Sequence, residues 1–291
     1  MKLVTFRTST STGIGALRPD GSVVDFGADP DLPTDMVAFI SLGEGGLARA
    51  EKLIATSIAI PVEQLRLLAP LRPRNNVMCV GKNYVDHAKE FAGSGFDASQ
   101  AIAIPSHPII FSKALSSIIG PNDDIDVSAD DTHTSDYEGE LGVVIGVGGT
   151  KIPANEARLH IYGYTIVNDM TVRELQKQHV QFFLGKSAAT YCPLGPYLVT
   201  ADEMADLDNV WVRTTDNGEE RQSAPVSDLI FDIPTLIATI SRSVALEPGD
   251  LIATGTPAGV GIGFDPPRYV QPGDVIDVSV DGIGTLSNRA R

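Results

Sequence analysis

The stretch Asp136-Tyr137-Glu138-Gly139-Glu140-Leu141-Gly142-Val143-Val144-Ile145-Gly146 constrains this chain more than any other. Its run of large apolar and β-branched residues predicts a strand from Glu138 to Val147. Side chains alternate along a strand, so Glu138 and Glu140 share one face. Two carboxylates on an otherwise apolar face repel each other and lose hydration, which is costly without a compensating partner. Either the strand end lies in water, or a cation compensates. An all-carboxylate site suits a hard divalent ion: Mg²⁺, Mn²⁺ or Ca²⁺. A second apolar stretch, Tyr162 to Val167, ends at Asn168-Asp169, and strand ends are where functional side chains gather. Glu138, Glu140 and Asp169 then offer three oxygens and leave room for substrate and water.

Other chemistry-bearing residues admit two readings each. His87 and Glu90 stand three apart in a predicted helix, Tyr84 to Phe91, so their side chains can meet. A carboxylate that fixes an imidazole tautomer prepares it to activate water; the same pair also occurs on hydrated helix surfaces. Lys186 follows the apolar Phe182-Phe183-Leu184-Gly185, and Lys113 follows Ile109-Ile110-Phe111. Each either presents its ammonium to an anionic substrate or snorkels to water. Arg173 and Gln176 share a helical face just after Asp169. Thr254-Gly255-Thr256-Pro257-Ala258-Gly259-Val260-Gly261 is not a phosphate loop, since no Gly-x4-Gly-Lys-Ser/Thr arrangement is present. Its amides and the Thr256 hydroxyl are suited to hold a carboxylate or simply to close a turn. Cys192 has neither a base nor a cation nearby in sequence, which disfavours a thiol nucleophile. The spacing of His107, His133, His160 and His179 does not match a zinc site.

Taken together, these segments resemble the fumarylacetoacetate hydrolase superfamily. The resemblance rests on Asn83-Tyr84-Val85-Asp86-His87-Ala88-Lys89-Glu90, Tyr137-Glu138-Gly139-Glu140-Leu141 and Asn168-Asp169. It continues through Arg173-Glu174-Leu175-Gln176, Leu184-Gly185-Lys186-Ser187, Pro193-Leu194-Gly195-Pro196 and Thr254-Gly255-Thr256-Pro257, in family order from about Asn76 onward. It implies that His87 and Glu90 form a water-activating dyad on a lid, with Gly93-Ser94-Gly95 as its flexible end. It also favours functional roles for Lys186 and Lys113, contacts from Arg173 and Gln176 to substrate carboxylate or oxo groups, and substrate binding at Thr256. Such proteins are commonly homodimers and include hydrolases, decarboxylases and isomerases.

Composition narrows the rest. A net charge of −15 argues against nucleic acid and against anionic membrane surfaces. Met1 to Arg7 holds too short an apolar run for a signal peptide, and no later run approaches a membrane span, so a cytoplasmic protein is expected. Cys79 and Cys192 lie among apolar residues and are expected to be reduced and buried. Residues 1–70 read as a small separate α/β unit, with a hairpin around Pro19-Asp20-Gly21, a helix capped by Thr34, and a helix from Gly46 to Thr56. Residues 71–291 read as the catalytic domain: many strands, few short helices and no βαβ alternation. The fold expected is α+β and β-rich, a curled mixed sheet with short helices. The function expected is metal-dependent hydrolysis of a carbon–carbon bond in an acylpyruvate or related 2,4-dioxo acid, with Mg²⁺ or Mn²⁺. Oxaloacetate decarboxylation and isomerisation of 2-hydroxyhepta-2,4-diene-1,7-dioate-type acids are the alternatives, and a non-catalytic carboxylate-binding protein is a third.

Overall fold

The structure is a computed structural model that describes residues 1–95 and 104–291. It is α+β and strand-rich. A large mixed sheet runs in the order Ile60–Pro61, Ser22–Asp25, Thr12–Leu17, Lys2–Arg7, Cys192–Thr200, Ile161–Asn168, Gly139–Ile145, Leu251–Ala253, Val77–Gly81, Ile109–Lys113. Most neighbours are antiparallel, while Leu251–Ala253 runs parallel to Val77–Gly81. A second, four-stranded antiparallel sheet is built from Glu219–Pro225, Trp211–Asp216, Val275–Val280 and Gly284–Arg289. The turn signals Asp216-Asn217-Gly218 and Asp281-Gly282 fall in the connections of this sheet, where Gly218 and Gly282 take positive φ.

The Gly139–Ile145 strand is buried on both faces. Leu141, Val143 and Ile145 join a core with Val212, Val278 and Leu286 of the four-stranded sheet. Val144 points the opposite way, into a core with Val167, Leu198 and Leu251. Gly139 marks where the two sheets press closest. A Cβ there would lie 2.2 Å from Thr214 Oγ1 and 2.8 Å from Val278 Cγ1, so only glycine fits between the two glutamates.

The division expected at residue 70 is not a division of the core. Strand Lys2–Arg7 pairs with Cys192–Thr200, placing Lys2 opposite Val199 and Leu3 opposite Leu198. Leu3, Ile14, Phe26 and Phe39 pack in the same cluster as Val77, Val144 and Leu251. A few short strands have too little apolar surface to close a core of their own, so the segment extends the main sheet. One local expectation also shifts. Asp35, not Thr34, caps the helix Met36–Ile40, because its side chain accepts from the Ala38 N–H. Ala157–His160 forms a 3₁₀ turn. Ile125 bridges Ala290 just before the 3₁₀ turn Val127–Ala129. No helix among the described residues is long and apolar enough to cross a membrane.

Candidate active site

The pairing register assembles the carboxylates. Gly139 stands opposite Asn168 and Glu140 opposite Val167, so Asp169 emerges beside Glu138 and Glu140. The Asp169 N–H donates to Glu138 O at 2.8 Å, and Asn168 Oδ1 accepts from the Glu138 N–H at 3.1 Å. One oxygen from each of Glu138, Glu140 and Asp169 lies within 4.8 Å of the others, and all three residues are buried.

Three cations pair with this triad. Lys186 Nζ donates to Glu138 Oε2 and Asp169 Oδ2, both at 2.8 Å. Arg173 reaches Glu138 Oε1 at 2.6 Å and Asp136 Oδ2 at 2.8 Å. Lys113 Nζ sits 2.6 Å from Asp169 Oδ1 and donates to the carbonyls of Met170 and Lys186. Its hydrogen bonds go to those two carbonyls, and its contact with Asp169 is an ion pair. It is fully buried and lies outside the lining of the cleft, so its charge acts on Asp169. Lys186 and Arg173 do line the cleft, together with Gln176, whose Oε1 accepts from Arg173 at 3.3 Å.

The electrostatics single out Glu140. Burial works against ionising Glu138, but Lys186, Arg173 and His87 outweigh it and hold its carboxyl down to about 2. Burial also works against the Lys186 ammonium, yet Asp169 and Glu138 hold its pKa above the ordinary lysine value. Burial pushes the Glu140 carboxyl well above the carboxylate range, and Asp169 and Glu138 push it further. Its partner is the Gly255 N–H at 2.8 Å, and no lysine or arginine among the described residues pairs with it. Counted as ionised, Asp136, Glu138, Glu140 and Asp169 outnumber Lys113, Arg173 and Lys186 by one negative charge. A divalent cation on the triad converts that to one positive charge, which suits an anionic substrate. The donor set therefore fits a hard divalent ion.

The helix Val85–Gly93 borders the cleft through His87 and Phe91. His87 is 4% exposed, and its Nδ1 lies 3.3 Å from Glu90 Oε2. Glu90 is itself fixed by the Gly259 N–H at 3.0 Å, and Tyr137 holds that loop by donating to Gly259 O at 3.0 Å. The imidazole is thus oriented from behind, which leaves Nε2 for chemistry. Asn83 ties the base of this helix to the Thr254 loop by donating to Thr254 O at 2.7 Å. Gly255 in that loop has φ +108°, and a Cβ there would come within 2.6 Å of Asn83 Cβ. Thr256 lines the cleft, but its hydroxyl proton goes to Gly139 O at 2.9 Å and its oxygen accepts from Gln222 Nε2 at 2.7 Å.

Three residues escaped the sequence reading. Lys82 lines the cleft, is 4% exposed, and lies 5.5 Å from the Phe91 ring centre. Its signal was a lone cation between the apolar strand Val77–Gly81 and the helix Val85–Gly93. Asp136 anchors the site by accepting from Arg173 and from the Gly261 and Ile262 N–H groups at 2.7 and 3.0 Å. Gln222 spans Gly139, Thr256 and Pro257, a role its surface-like sequence surroundings hide. Both cysteines are buried and free. Burial pushes the Cys192 thiol up to about 12, which removes it as a nucleophile at neutral pH.

Known proteins carry the same arrangement of sequence and fold. Residues 76–291 match the family described as fumarylacetoacetate (FAA) hydrolase C-terminal. Oxaloacetate tautomerase YisK of Bacillus subtilis is 45% identical over 268 residues, which cover 89% of this chain and 87% of that protein. A fumarylacetoacetate hydrolase from Exiguobacterium antarcticum superposes with a TM-score of 0.82 at 41% identity, covering 100% of this chain and 99% of that one. Maleylpyruvate hydrolase from Sphingobium sp. SYK-6, in complex with manganese(II) and pyruvate, superposes at 0.80 with 28% identity, covering 100% and 98%. The chain belongs to the fumarylacetoacetate hydrolase family.

Proposed function

We propose that this protein is a divalent-metal-dependent enzyme that interconverts the keto and enol forms of a short 2-oxo dicarboxylic acid of the oxaloacetate type. The observation that carries the reading is the buried triad Glu138, Glu140 and Asp169, whose Glu138 lines one cleft with a histidine held by Glu90. Likeness to a named oxaloacetate tautomerase over most of both chains supports the choice of substrate class. Glu138, Glu140 and Asp169 would hold Mg²⁺ or Mn²⁺, whose role is to polarise the 2-oxo group as a Lewis acid. His87 Nε2 takes the enol proton or returns it, so one proton leaves oxygen as one arrives at carbon 3. Glu90 fixes the tautomer and stabilises the imidazolium formed midway. Lys186 places a cation where enolate charge develops, and Lys82 and Arg173 bring further positive charge to the cleft.

A second reading is hydrolysis of a carbon–carbon bond in a short acylpyruvate or 2,4-dioxo acid. The same dyad supports it, because a carboxylate-held imidazole also activates water, and so does likeness to a maleylpyruvate hydrolase. A homodimer belongs to the proposal, supported by apolar side chains such as Leu159 and Val147, 76% and 57% exposed. Light scattering should give near twice 30.9 kDa, and a monomer at micromolar concentration would count against it. The deciding assay follows the enol absorbance of oxaloacetate with Mg²⁺ or Mn²⁺, with parallel detection of released carboxylic acid from acylpyruvates and of carbon dioxide. Enol decay above the buffer rate without cleavage supports the first reading, cleavage supports the second, and neither defeats both.

A further inference from the structure

The catalytic cleft is closed on one side by two aromatic rings, and a much larger groove lies directly behind them. The cleft has a cavity volume of ≈ 20 Å³, enough for about one water. The adjoining groove has ≈ 550 Å³ and is lined on its far side by Ile240, Ser243 and Val244. Phe111 and Phe182 belong to both linings. Their rings meet edge to face with centroids 5.4 Å apart, and the Phe111 ring also lies 5.1 Å from Lys186 Nζ. Phe111 is therefore committed to the charged site, while Phe182 is the movable half of the partition. Gly81 closes the corner, since a Cβ there would touch both rings at 3.6 Å. Phe182 reaches its position through a costly backbone turn. Val180, two residues earlier, takes φ +59°, a left-handed conformation unfavourable for a β-branched residue.

We infer that the Phe111–Phe182 pair is the length-selecting wall of the active site, with Phe182 the residue that excludes substrates bearing an apolar group remote from the 2-oxo acid. The inference rests on the reading of the cleft as a 2-oxo acid site and adds the limit on its substrate. Compact acids end against the rings; longer ones require the space beyond them. Removing the Phe182 ring joins cleft and groove, so an alkyl or aryl tail gains apolar surface near Ile240 and Val244. Apolar fit of this kind is worth roughly 10–200-fold per methylene at a hydrophobic site.

The test compares oxalate, a compact analogue of the enolate, with N-pentyloxamate, which carries the same acid end and an alkyl tail. Calorimetry with Mn²⁺ gives both affinities for the wild type, Phe182→Ala and Phe182→Leu. Phe182→Ala should raise the affinity ratio of N-pentyloxamate to oxalate by at least about tenfold, with Phe182→Leu between it and the wild type. Adding Ser243→Trp to Phe182→Ala, which refills the groove at an exposed position, should return the ratio to the wild-type value. Oxalate binding with a ratio that does not move in Phe182→Ala overturns this inference alone. Failure of oxalate to bind the wild type overturns the 2-oxo acid reading and this inference with it.

Discussion

The two sides of the triad differ in how their charges are employed. Behind it, Lys113 is fully buried outside the cleft, bonded to two carbonyls and ion-paired with Asp169, and Asp136 is locked to Arg173 and to loop amides. In front, His87 keeps one nitrogen for the cleft, and Lys186 and Lys82 face it. Lys113 and Lys186 show the contrast most sharply, because both follow apolar runs and both touch Asp169. Similar sequence surroundings thus produced one cation enclosed by protein and one that lines the cleft. What separates them is the side of the carboxylates from which each approaches.

Breaking the shared element should have the largest effect. Glu140→Ala or Asp169→Ala should reduce turnover to the uncatalysed rate and remove the rise in melting temperature that Mn²⁺ gives the wild type. A variant that keeps its metal-induced stabilisation would remove that residue from the metal site. Next comes the front alone. His87→Ala should lower kcat roughly 10²–10⁴-fold while Mn²⁺ affinity by calorimetry is preserved. Wild-type turnover in that variant would dissolve the dyad assignment.

The lysine pair sharpens the contrast further. Lys186→Met should lower kcat/KM by roughly 10²-fold, as when one preorganised donor to developing charge is removed. Lys113→Met should instead cost stability, on the order of 1–3 kcal/mol, because Asp169 loses one of two buried cations and keeps Lys186. Its folded fraction should turn over within a few-fold of the wild type. Denaturant melts beside steady-state kinetics distinguish the two, and the same profile for both lysines would erase the difference between the two sides.

A smaller effect follows from Glu140. Its raised pKa means the metal-free protein holds a proton that the cation must displace, so Mn²⁺ affinity should fall as pH is lowered. Glu138, held down to about 2, stays ionised through the working range and adds nothing to this slope. Calorimetry in buffers of different ionisation enthalpy should show proton release on binding, lost in Glu140→Gln. Binding that is flat with pH would contradict the proton count. The smallest effect is at the thiols: Cys79 and Cys192 are buried with raised pKa, so native protein should resist alkylation until it unfolds.

The strand Gly139–Ile145 and its neighbour Ile161–Asn168 were legible because apolar runs and the alternation of faces are local properties. That alternation also placed Glu138 and Glu140 on one side. The hairpins at Asn217-Gly218 and Asp281-Gly282 were equally legible from turn chemistry. What escaped is set by contacts distant in sequence. Lys113 could not be distinguished from Lys186 without knowing that Met170 O and Lys186 O surround its ammonium. Asp136, a full strand residue beside the predicted pair, has its meaning only through Gly261 and Ile262, more than a hundred positions away. The N-terminal segment looked separate because its own signals are complete, yet the pairing of Leu3 with Leu198 makes it part of the same sheet.

The central claim is that Glu138, Glu140 and Asp169 hold a divalent ion that lets His87 move a proton at carbon 3 of a 2-oxo acid. The most direct measurement is proton NMR of 2-oxoglutarate, a 2-oxo dicarboxylate that is not a β-keto acid and so does not decarboxylate through the enolate, in deuterium oxide. With enzyme and Mg²⁺, the signal of the carbon 3 protons should decay faster than with Mg²⁺ alone, and the acceleration should vanish on chelation and in His87→Ala. Exchange that proceeds at the full enzymatic rate after the metal is stripped, or in the absence of the imidazole, would contradict it.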